Sequence, residues 1–253
     1  MSSRPALSDA TDQTFAPRAP APDRITLYHH PFCPHSRFVR LALSEFGVEP
    51  HLIEENVWER RRDFLRLSAD GATPVLVEPD GAAVPGAQTI AEYLDETRGA
   101  QMGERRLMPR DALERVETRR LMAWFNIKLF NEVSNWLAHE KITKRFLPPA
   151  QGGGGPNMDA IRAARANLRY HMRYIGHLIG ARKWLAGDRL SFADLAAAAH
   201  LSVIDYLGDA PWGEDEAAKE WYARMKSRPS FRPLLADRLR GLAPAPAYAD
   251  LDF

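Results

Sequence analysis

The chain has 253 residues, 45% of them hydrophobic, and 34 Lys and Arg against 33 Asp and Glu, for a net charge of +1. That is enough for one large or two small domains with a sizeable core, and the charge excludes the strongly basic class that binds nucleic acid or membrane surfaces in bulk. The single cysteine, Cys33, excludes an intramolecular disulfide and fits a reducing compartment; no apolar run approaches the roughly 20 residues of a membrane span.

Residues 1–23 are rich in Ser, Ala, Pro, Asp and Thr and read as a disordered leader without the apolar core of a signal peptide, so a cytoplasmic location is expected. Ile25 to Tyr28 has strand character, Pro31 ends it, and Pro34 suits the first turn of a helix whose apolar face is Phe38, Leu41, Ala42 and Phe46, with Gly47 as its stop. Cys33 and Ser36 thus fall at a helix N-terminus, where a thiolate or a carboxylate is stabilised. His51–Glu54 is a second strand, making a βαβ unit. Asn56 is expected to cap a short helix with Phe64, Leu65 and Leu67 inside, leaving Trp58 and Arg60, Arg61 and Arg62 outside. This stretch is either a solvated helix face or a basic, aromatic contact patch of the kind favoured at binding hot spots. Thr73–Glu78 is a strand opening on Pro74, Glu78–Ala82 a turn, Ala83–Val84 a fourth strand, and Gln88–Glu96 a helix with Ile90, Ala91 and Leu94 inward.

Residues 24–98 therefore run strand, helix, strand, helix, two strands, helix. With the Cys33-Pro34-His35-Ser36 turn, this region resembles the thioredoxin-like domain of glutathione transferases. The resemblance implies that Thr73 and Pro74 (the family's cis-proline) meet the peptide part of glutathione. It also implies that Gln88 and Thr89 hold the γ-glutamyl carboxylate, with Thr89 adding a methyl where the family carries Ser. Cys33, or alternatively Ser36, would be the catalytic group if the chain is an enzyme, acting on glutathione as a conjugating or thiol transferase. His29, His30, Cys33 and His35 do not match a closed tetrahedral set, so no metal is expected.

Residues 99–109 read as a linker and 110–240 as an all-helical domain. An apolar stripe of Leu113, Val116, Leu121, Trp124, Ile127, Val133 and Leu137 is expected to face its core. Gln151–Pro156 reads as a flexible loop, and Asn157 caps a helix to about residue 183. Ser191 and Asp194 have capping-box spacing, with Leu190 as staple, ahead of a helix apolar nearly all round. This matches the folding motif of the same family and makes both residues structural. Arg162, Arg165, Arg169 and Arg173 form one helical stripe, joined by Lys128, Lys141, Lys144 and Arg145. The stripe either pairs with Glu114 and Glu117 or faces an acidic protein partner rather than nucleic acid. Residues 241–253 read as an extended Pro/Ala spacer with an acidic, aromatic tip, Asp250, Leu251, Asp252 and Phe253.

The Trp58–Arg62 stretch, the cysteine turn and the tip together resemble an FtsZ-localised, glutathione-transferase-like branch of the superfamily active in bacterial division. That resemblance implies a homodimer that binds FtsZ polymers at the division site through Trp58 and nearby Arg residues. It further implies a tip that addresses a second division-machinery partner, no required cofactor, and no insertion into the membrane.

Overall fold

The computed structural model describes residues 23–251. The leader, apart from Asp23, and the tip residues Asp252 and Phe253 lie outside that range. Strand β1 (Thr26–His29) leads through the cysteine turn into α1 (Pro34–Glu45), and β2 (His51–Glu54) returns parallel to β1. After α2 (Arg62–Leu65), β3 (Val75–Val77) pairs antiparallel with β1 and β4 (Ala83–Pro85) with β3, giving the order β2-β1-β3-β4. Helix α3 (Ala87–Arg98) closes this domain with Ile90, Ala91 and Leu94 fully buried.

The expected helix over 55–66 is broken. Only a 3-10 turn, Val57–Glu59, forms before Arg60 takes a left-handed φ of 47°, and α2 is a single turn. The linker is not free either: a 3-10 run, Gly99–Arg105, continues from α3, and Leu107 and Met108 are buried in the core.

The second domain begins with a long arm: α4 (Ala112–Ala123), a π-helical stretch over Trp124–Ser134, and α5 (Asn135–Lys141). Leu121, Val133 and Leu137 of the expected stripe are buried, but Leu113, Val116 and Ile127 are exposed at 79%, 61% and 53%. A helix packed on one side only cannot bury so wide a stripe, and the wider π winding changes which positions face the core. The glycine stretch, expected as a flexible loop, is a bonded turn: Gly153 N–H donates to Pro148 O and Gly154 N–H to Lys144 O, at 3.0 and 3.3 Å. A side chain at Gly153 would sit 1.8 Å from the Leu147 carbonyl oxygen.

Helix α6 (Met158–Ala181) starts at Asn157, whose side chain accepts from Asp159 and Ala160 N–H. At the centre lies α7 (Phe192–Tyr206), every residue of it buried. A fully buried helix has no water to fall back on at its ends, which explains the elaborate cap. Ser191 Oγ accepts from Ala193 N–H, and Asp194 accepts from Ser191 N–H and Oγ–H at 3.0 and 2.9 Å and from Leu185 N–H and Trp221 Nε1–H at 2.9 and 3.0 Å. Helices α8 (Glu216–Lys226) and α9 (Arg232–Ala236) complete the bundle.

Candidate functional site

The cysteine turn is closed by Cys33 N–H donating to His30 at 3.0 Å, and Cys33 is the N-cap of α1 with Pro34 next to it. Cys33 is half-buried, and its thiol lies 3.7 Å from the Thr73 carbonyl. Burial pushes the thiol up, but a hydrogen bond and charge from His35, with the hydroxyl and N–H of Ser36, outweigh it and bring the thiol down to about 7. His35 is raised in turn: burial opposes its charge, yet the Cys33 sulfur and the Asn126 carbonyl favour it. His35 Nε2 stands 2.8 Å from that carbonyl, in the π-helical stretch of the other domain, so Nδ1 is left for the sulfur. Ser36 is fully buried and its hydroxyl accepts from His30 N–H at 3.3 Å. Burial above all holds His29 and His30 down at about 4, so both are neutral at pH 7. Among the described residues no group of three or more His, Cys, Asp or Glu has metal-holding geometry.

Thr73–Pro74 is a cis peptide. Pro74 O accepts from Gly86 N–H at 3.0 Å, and Gly86 is the N-cap of α3. The Cys33 turn, the Thr73–Pro74 loop and the Gln88–Thr89 end of α3 are therefore stitched along one rim. Gln88 and Thr89 are exposed there, so the Thr89 methyl meets no clash within the chain. Gly86 has no side chain with which to cap α3, and the first N–H groups of a helix have no partner inside it; together with the dipole they fit a carboxylate.

Trp58 is half-buried beside that rim. Its ring stacks on Phe146 of the helical domain at 5.6 Å with 6° between planes, and meets the His30 ring edge-on at 5.6 Å. Trp58 and Phe146 form an aromatic shelf across the two domains, adjoining the cysteine turn. Phe146 was not singled out in the sequence, where one aromatic between Arg145 and Leu147 carries no signal. Arg60 and Arg62 are exposed near the shelf, but Arg61 is pinned to the fully buried carboxylate of Glu55.

The α6 stripe is paired differently from the sequence expectation. Arg162 bonds Asp159; Arg165 shares buried Asp209 with Lys141, at 2.8 and 2.6 Å; Arg169 bonds Glu214 at 2.7 Å. Glu117 takes Arg120 and Arg182 instead. Most of the stripe's charge is thus matched within the chain. The Pro/Ala segment is not an extended spacer: Tyr248 is fully buried, while Asp250 and Leu251 beyond it are exposed.

Family models match both halves of the chain: the glutathione S-transferase N-terminal domain over residues 27–102 and the C-terminal domain over 135–229. The chain belongs to the glutathione S-transferase family. Among its relatives, this transferase-family chain is 48% identical to FtsZ-localized protein A of Caulobacter vibrioides over 231 residues, 90% of this chain and 98% of that protein. It is 27% identical to glutathione S-transferase 2 of Saccharomyces cerevisiae, covering 85% of this chain and 91% of that one. The crystal structure of a glutathione S-transferase from Sinorhizobium meliloti superposes with a TM-score of 0.89 at 53% identity, over 91% of this chain and all of that one. FzlA from C. crescentus superposes at 0.85 and 48% identity, again over 91% and 100%.

Proposed function

We propose that this chain is an FtsZ-binding bacterial cell-division and constriction factor built on the transferase fold. It acts in the cytoplasm at the division site, without a required cofactor and without glutathione-dependent turnover. The observation that carries this reading is 48% identity spread over 98% of a protein described as FtsZ-localized. The Trp58–Phe146 shelf supplies a surface: a flat aromatic pair with Arg60 and Arg62 nearby has the composition of an interface hot spot. The exposed end at Asp250 and Leu251 is the contact for a second division partner, and exposed Leu113 and Val116, three residues apart on one face of α4, are the contact for a second copy of the chain. The test is co-sedimentation with GTP-assembled FtsZ. Trp58→Ala is expected to weaken pelleting by about tenfold or more, the loss of one hot-spot anchor. Absence of pelleting by the wild-type chain at micromolar concentration refutes the reading.

A second reading is favoured by one observation: a half-buried cysteine whose thiol is lowered to about 7, on one rim with Pro74, Gln88 and Thr89. In it Cys33 performs disulfide exchange with glutathionylated substrates, and Cys33→Ala abolishes that exchange. Equal turnover by the variant removes this alternative.

A further inference from the structure

Arg37 is fully buried in α1, one residue beyond Ser36. Its Nε donates to Pro31 O at 2.7 Å and its guanidinium lies 4.7 Å over the Phe32 ring, so it grips the two residues that precede Cys33. Its other end reaches into the helical domain: Nη1 donates to Ser202 Oγ at 2.9 Å and to the Tyr248 hydroxyl at 3.1 Å, and Nη2 donates to Asp237 at 3.3 Å. Tyr248 in turn donates to Leu234 O at 2.8 Å and meets the Tyr206 ring edge-on at 5.0 Å. Tyr206 packs against Phe32 at 4.4 Å. Two contact routes therefore join the C-terminal segment to the cysteine turn, one polar through Arg37 and one aromatic through Tyr206.

The rest of the segment is fastened at few points. Leu242 O accepts from Tyr206 Oη–H at 2.6 Å, Ala245 N–H donates to Tyr206 O at 2.9 Å, and Lys226 Nζ donates to Ala247 O at 3.2 Å. Immediately past Tyr248 the chain emerges into solvent at Asp250 and Leu251. A segment with one buried anchor, a handful of hydrogen bonds and an exposed end opens at lower cost than the core.

We infer that residues 242–248 are a strap that couples the exposed Asp250–Leu251 end to the cysteine turn. Drawing that end away withdraws Tyr248, removes one wall from around Arg37 and Phe32, and loosens the grip on Pro31. Coupling of this kind is reciprocal, so a group placed on Cys33 loosens the strap. The inference does not rest on FtsZ binding, because it is read on the isolated chain.

The experiment measures native-state alkylation of Cys33 by iodoacetamide together with hydrogen exchange of the amides of residues 245–250. It uses the full chain, Tyr248→Phe, and a chain ending at Arg240. Tyr248→Phe keeps the ring and removes the hydroxyl that Arg37 and Leu234 share. Both variants are expected to alkylate faster by about fivefold or more, and the Cys33-alkylated wild type is expected to exchange the Ala245 and Tyr248 amides faster than the unmodified chain. Asp111→Ala, which removes the cap of α4 far from the strap, is the control for general destabilisation and is expected to leave the Cys33 rate unchanged. A folded truncated chain that alkylates at the wild-type rate overturns the inference. So does Tyr248→Phe with unaltered alkylation, or an Asp111→Ala acceleration equal to that of the strap variants. Should the truncated chain fail to fold, Tyr248→Phe and the reciprocal exchange measurement decide.

Discussion

Removing the Asp194 carboxylate should destabilise the chain more than any change at its surface, and the cost can be worked from four hydrogen bonds. One carboxylate oxygen accepts from Leu185 N–H and Trp221 Nε1–H, the other from Ser191 N–H and Oγ–H. All of these groups are buried. Asp194→Ala leaves three buried N–H donors without partners, while the Ser191 hydroxyl can rotate. At about 1–3 kcal/mol for each orphaned donor, with some relaxation, the loss is about 4 kcal/mol. Asp194→Asn separates the two oxygens. Its carbonyl can keep Leu185 and Trp221, but its NH2 then faces Ser191 N–H, so the loss is about 2 kcal/mol. Urea unfolding followed by circular dichroism at neutral pH measures both. For a chain of this size, Asp194→Ala should also lower Tm by about 10 °C. A loss below about 1 kcal/mol for Asp194→Ala, or an Asn variant as damaged as the Ala variant, would refute this account of the α7 cap.

Three further outcomes follow from the site and its surroundings. The alkylation rate of Cys33 should rise with pH through about 7, and His35→Gln should move that midpoint to the ordinary thiol range or above, slowing the reaction at pH 7 by about tenfold; an unmoved profile would exclude His35 as the source of the shift. Glu117 is held down at about 2, chiefly by Arg120 and then, against burial, by Arg182. Its contribution is therefore full above its ordinary value near 4.5 and disappears as pH falls towards 2. Wild type should lose about 1–2 kcal/mol more than Glu117→Gln across that window in urea titrations, the figure allowing for its partly exposed partners. Gly153→Ala forces a β-carbon against the Leu147 carbonyl and should cost about 1–3 kcal/mol, shifting Phe146 and with it the fluorescence of Trp58; identical stability and emission spectra would contradict the steric argument.

Most element boundaries were legible because they are set by local chemistry. Pro34 and Gly47 bracket α1, Asn157 starts α6, and the Ser191–Asp194 pair starts α7, each by satisfying or omitting a particular backbone group. The rim of the site was legible for the same reason, since Cys33, Pro74 and Gln88–Thr89 are turn and helix-end residues. What tertiary contacts decide was not. Arg60 breaks a helix at a left-handed position that its side chain does not advertise. Apolar Leu113, Val116 and Ile127 match a helical face but stay exposed. The Arg stripe finds Asp209 and Glu214, which lie more than 40 residues away. Tyr248 sits in a Pro/Ala stretch whose composition signals extension, yet its buried ring on Arg37 and the hydrogen bonds at Leu242, Ala245 and Ala247 bring the segment in.

The seam between the two domains is also a statement about modularity. Arg37 and Arg40 of α1 meet Asp237, Arg228 and Ser230 meet Glu45, and Phe192 N–H donates to Leu107 O in the connecting segment. Each of these ties one half to the other with groups that neither half could satisfy alone. The chain should thus melt in one cooperative step. Neither half can be excised as an independent cassette: a thioredoxin-like fragment cut at residue 109 would expose the side of α1 that the helical domain now covers, and would precipitate rather than report on the site it carries.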